Sequence, residues 1–117
     1  MIDLDAMDER EFIAFVGRRP GMFTGRVTYD AVTSFLTGYA RGAARNGGHG
    51  LDGLREWLLQ RLGHGSPLGW PGIVLQLTFP DAEQLPTEFT PAQQETALRT
   101  LFDLLDAFLA ERAATPD

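Results

Sequence analysis

The chain contains no cysteine and no lysine, and only two histidines. Without cysteine there is no disulfide, no thiol nucleophile and no thiolate metal site. Without lysine there is no amine for Schiff-base chemistry or for a phosphate-binding P-loop, so all ten basic residues are arginine. Long apolar runs are missing as well. The longest candidate, Ile73 to Phe79, is broken by Gln76 and Thr78 and falls far short of the roughly 18 residues that a membrane span needs. The first ten residues, MIDLDAMDER, are acidic where a secretory leader would be basic and then apolar, which predicts a cytoplasmic protein.

What is present suits one globular domain over residues 1–117, with a frayed tail at about 113–117. The net charge of −6 disfavours nucleic acid, whose binding needs cationic surface. The charge is unevenly spread: residues 1–17 sum to −4, residues 18–63 to +4 and residues 64–117 to −6. Either the basic middle and the acidic ends are patches for partners, or the ends fold over the middle and neutralise it.

Helical periodicity dominates and predicts an all-α bundle of four to five helices. The first starts at Asp5 and carries Phe12, Phe15 and Val16 on one face, with Gly17 past its end. Arg19-Pro20-Gly21-Met22 fits a type II turn, and it would send Met22 and Phe23 inward. A second helix runs from an N-cap at Thr28 to about Arg45, with an apolar face from Tyr29 to Ala43. Beside that face, Ser34, Gly38 and Gly42 form a small-residue row that suggests close packing or a homodimer. Leu51, Leu54, Trp57, Leu58 and Leu62 mark a third helix. Residues 70–79 read either as a strand, from Ile73, Leu75, Leu77 and Phe79, or as a helix, from Trp70, Ile73, Val74 and Leu77. The helix is preferred because a strand would have no partner. Thr90-Pro91-Ala92-Gln93 is a capping box that opens the last helix. The second and last helices are expected to form the central packing pair.

Chemistry-bearing constellations are scarce. The histidines sit in twin Gly-His-Gly contexts, and a helix of about a dozen residues between them sets them roughly 18–20 Å apart, too far to share an ion. Ser34 is mid-helix and Ser66 a cap, neither in a nucleophile elbow. Asp103 and Asp106 have ligand-like spacing but belong to a solvated helix face. No catalytic residue, metal site or cofactor is therefore assigned. Two binding surfaces remain. One is an arginine-lined anion or small-molecule pocket of Arg18, Arg19, Arg26, Tyr29 and Tyr39. The other is an acidic face on the last helix, from Glu95, Asp103, Asp106 and Glu111.

The stretch RPGMFTG is similar to the Arg-Pro-Gly-Met-Tyr-x-Gly segment of the type II topoisomerase ATPase family. That family's Asn-bearing helix and Asp-x-Gly-x-Gly motif have no counterpart here, so the likeness implies a shared turn alone. A wider resemblance runs through RRPGMFTG, FLTGYARG, LREWLLQRLG and ETALRTLFDLLDAFL. In this order the chain resembles a group of small helical proteins of unassigned activity, most familiar from actinobacterial genomes. That resemblance implies an immunity-like binding protein and carries over no catalytic residue. The expectation from sequence is thus a small acidic interaction protein, immunity or regulatory in kind, that binds a protein partner. The alternative is a small-molecule or anion-binding module, with or without enzymatic activity, built on the arginine-lined pocket.

Overall fold

The computed structural model describes residues 2–115, whose regular structure is helical without a single strand among them. A 3-10 turn at Leu4–Ala6 precedes six helices: α1 Glu9–Arg18, α2 Pro20–Thr24, α3 Tyr29–Arg45, α4 Leu54–Leu62, α5 Trp70–Thr78 and α6 Pro91–Ala114. The all-α expectation holds, and the sixth helix is the five-residue α2, which sequence reading treats as a turn.

Helix α6 is the spine. Its capping box is formed as the sequence predicts: the Thr90 hydroxyl accepts from the Gln93 amide at 3.1 Å, and the Gln93 side chain accepts from the Thr90 amide at 2.9 Å. Ala97, Leu101, Leu105, Phe108 and Leu109 are buried along one stripe. They meet Ile13 of α1, Val32 and Leu36 of α3, Leu54 and Leu58 of α4, and Ile73 and Val74 of α5 in one apolar cluster. Burying each such aliphatic side chain is worth about 1.5–3 kcal/mol. The main neighbours of α6 are α1 and α5, while α3 is a lesser one. The expected α3–α6 central pair is thus corrected, because α3 divides its apolar face. Its Phe35 turns to α2, its Tyr39 to α1, and the Tyr29 hydroxyl donates to the Pro71 carbonyl on α5 at 2.7 Å.

Residues 70–78 form a helix, as preferred. The 3-to-4 spacing buries Ile73 and Val74 together, and Pro71 near the start costs nothing because its missing amide would be unpaired there. Three local expectations need correction. Helix α1 begins at Glu9 and not at Asp5, because Asp3 caps the preceding 3-10 turn and Asp8 becomes the N-cap of α1, accepting from the Glu11 amide at 2.8 Å. Gly17 lies inside α1. Its role is close approach: a Cβ there would stand 2.8 Å from the Phe102 ring of α6. Pro20-Gly21 is no type II turn, since Gly21 is not among the positive-φ glycines. Pro20 instead restarts a helix, and the positive φ falls at Gly25, which ends it. Of the expected frayed tail at about 113–117, Ala113 and Ala114 belong to α6, while Pro116 and Asp117 lie outside the described residues.

The small-residue row of α3 is not packed against the chain itself: a Cβ at Gly38 or Gly42 would meet nothing within 4 Å. Gly50 is the opposite case. It has φ +55°, and a Cβ on it would come within 2.6 Å of the Ala40 carbonyl oxygen, backbone that has no rotamer by which to yield. Gly50→Ala should lower unfolding free energy by about 2–4 kcal/mol, the combined cost of a left-handed residue and a backbone clash. Gly65→Ala, in the second Gly-His-Gly, should change it by less than about 1 kcal/mol, since nothing lies within 4 Å there. Urea unfolding of both variants checks the contrast.

Candidate functional site

The five residues of the expected arginine pocket are not brought together. Tyr29 is 2% exposed, its hydroxyl is committed to Pro71, and its amide donates to the Gln94 side chain at 2.7 Å, so it is a core residue. Burial, with Asp30 adding to it, pushes its phenol far up. Arg18 sits over the Phe15 ring at 5.7 Å and lines a groove with Arg10, Glu11 and Asp106. Arg19 and Arg26 are exposed, on either side of α2.

Tyr39 belongs elsewhere. Its hydroxyl donates to Glu9 Oε1 at 3.2 Å, and Glu9 Oε2 accepts from Arg112 Nη2 at 3.0 Å. Arg112 also donates from Nη1 to the Gly50 carbonyl at 3.0 Å and lies 5.3 Å from the Phe108 ring centre. This network ties α1, α3, α6 and the α3–α4 loop together, and its ion pair is half-buried, with side chains 24–27% exposed. Burial first, then the neighbouring Glu9 charge, pushes the Tyr39 phenol up to about 12.

The expected acidic face on α6 is largely consumed. Glu95 accepts from Arg99 at 3.0 Å within α6. Asp106 takes two hydrogen bonds from Arg10, at 2.7 and 3.0 Å, and they hold its carboxyl below the usual carboxylate range. Glu111 accepts from the Trp57 indole at 2.8 Å and from Arg61 at 3.2 Å. Of the four, Asp103 is exposed and enters no ion pair among the described residues. Among the described residues only Arg61–Glu111 joins an acidic end to the basic middle. Glu9–Arg112 and Arg10–Asp106 join the two ends to each other, so Arg18, Arg19, Arg26, Arg41 and Arg45 stay outside the described ion pairs.

The histidines stay apart. The helix between them is nine residues long, shorter than the expected dozen, but His49 and His64 line different grooves. No group of three metal-ligating side chains gathers among the described residues.

A surface that sequence reading missed lies between the 3-10 turn, α1, α2 and α3. It is a groove of ≈ 400 Å³ lined by Leu4, Asp5, Met7, Asp8, Glu9, Phe12, Phe23 and Tyr39. Phe23 of α2 is its back wall, set edge-on to Phe12 at 5.6 Å, and Tyr39 lies against Phe12 at 5.1 Å. These rings are half-buried, so part of each faces solvent. The volume lies in the range of small ligand sites, about 300–1,000 Å³. The sequence signal was the acid-rich start leading into Phe12, but nothing local announces that α2 folds back to add Phe23.

Two measurements check this geometry. The chain has two tyrosines, so its tyrosinate absorbance should be nearly absent at pH 10 and rise only toward about pH 12, where Tyr39 ionises first. The sign follows: Tyr39 stays protonated in the folded chain while the unfolded phenol ionises near pH 10, so its contribution to stability is full below about pH 10 and is lost as pH rises through about 12. Separately, Arg112→Met should cost about 1–3 kcal/mol in chemical denaturation by stranding Glu9, and adding Glu9→Gln should recover part of that loss.

No protein-family model, no curated protein and no solved structure matches this chain. The chemistry of its own surface therefore has to carry any functional reading.

Proposed function

We propose that this chain is a small acidic interaction protein that binds a basic macromolecular partner by surface complementarity, an immunity or regulatory factor in kind. The observation that carries the reading is a set of exposed carboxylates at the start of the chain that no described ion pair consumes. The acids of the N-terminal segment, Asp3, Asp5, Asp8 and Glu11, enter no ion pair among the described residues, and the chain as a whole carries −6. Keeping like charges together costs self-repulsion, and the return is long-range attraction of an oppositely charged surface. The acidic surface offered is the N-terminal one, in place of the α6 face first expected, because Glu95, Asp106 and Glu111 are paired within the chain. The alternative arginine-lined pocket draws no support from the geometry, which sends Tyr29 into the core and Tyr39 toward Glu9.

The test is capture by the immobilised chain from a lysate of its source organism. One dominant basic protein should be retained at low ionic strength, and purified from it should associate more slowly as salt rises. Retention of nothing above the bead control, or binding indifferent to salt, would contradict the reading.

A further inference from the structure

We infer that the groove between the 3-10 turn, α1, α2 and α3 seats an arginine side chain presented by the protein partner. This rests on the reading of the chain as a binder of a basic partner and names the contact. Its lining is apolar or aromatic at Leu4, Met7, Phe12, Phe23 and Tyr39. It also includes three carboxylates, Asp5, Asp8 and Glu9, and no basic residue. Glu9 is already matched by Arg112. Asp8 spends one oxygen on capping α1 and acts on Arg10 through space, and neither Asp5 nor Asp8 enters an ion pair among the described residues, so these two carry the charge left for an occupant.

Complementarity selects the occupant. An anion would be repelled. A neutral apolar plug would strip water from two carboxylates and return no hydrogen bond. A hydrated metal ion would gain little from aromatic walls. A guanidinium fits both halves, since its flat face packs on aromatic rings while its edge donates to carboxylates, and its alkyl stem covers Leu4 and Met7. The molecule uses the same combination internally. Arg61 lies 4.0 Å from the Trp57 ring centre while Glu111 accepts from both residues. Arg112 lies over Phe108 while donating to Glu9.

The test titrates the full chain with N-acetyl-arginine amide, following backbone amide NMR shifts, with the citrulline analogue as an uncharged isostere. Arginine amide should shift Leu4 to Phe12, Phe23 and Tyr39 with millimolar affinity, and citrulline amide should not. Asp5→Asn with Asp8→Asn keeps the helix cap, because Asn caps as well as Asp, and should weaken binding about five- to tenfold. Equal shifts from citrulline, shifts elsewhere, or an unchanged double variant would overturn the inference. So would a partner captured equally well by the double variant, and that result leaves the interaction reading standing. A groove that takes arginine amide in a chain that captures no basic protein overturns the interaction reading instead.

Discussion

The corner of the molecule that matters depends on where Phe23 goes. Its ring meets Phe12 at 5.6 Å, Phe15 at 5.8 Å and Phe35 at 5.5 Å, two of them edge-to-face. Such pairs add about 0.5–1.5 kcal/mol each beyond burial. Together they hold the five residues of α2, too few to be helical alone, folded back against α1 and α3. The rest of the corner follows. Arg19 is left between two helices, Met22 faces outward at 62% exposure, and Phe23 closes one side of a groove that α1 and α3 could not make by themselves. The two arginines end α1 and Pro20 restarts a helix, and the residue of this stretch that shapes the groove is the phenylalanine behind them.

Legibility of the sequence divided along the range of the interaction. Features set by neighbours in the chain were readable: the caps at Thr28 and Thr90, and the α5 helix, whose apolar spacing competed with a strand that had nowhere to pair. Features set by a distant partner were not. Gly17 looks like a helix terminator until the Phe102 ring is known to lie against it. Met22 and Phe23 look alike and both are expected to point inward, and only the positions of Phe12 and Phe35 decide that Phe23 alone does. The groove was illegible for the same reason, because it joins residues 4–12 to residues 23 and 39.

Charge shows the same division. Along the chain, acidic ends flank a basic middle, and the simplest outcome would be for the ends to cover it. In space the ends find each other, since α1 and α6 pack side by side and bring Arg10 to Asp106 and Glu9 to Arg112. These contacts take acids out of the α6 surface and leave those that precede α1 in place. The acids outside the described ion pairs thus lie mostly in the segment where Asp3 caps the 3-10 turn and Asp8 caps α1.

The molecule's treatment of its own arginines is a guide to what that segment can hold. Where Arg61 and Arg112 are fixed, each combines an aromatic face with a carboxylate, and Arg55 is held by the carbonyls of Ser66 and Leu68. The groove beside Phe12 presents the first combination at the surface, with carboxylates and rings together in its lining, and no arginine of this chain among them. An aromatic wall alone would invite any apolar group, and carboxylates alone any cation. Only together do they discriminate, because a group lacking either property leaves part of the surface desolvated without recompense. Selectivity for arginine over a general basic surface would arise at this one place, while the wider acidic field would govern how fast such a partner arrives.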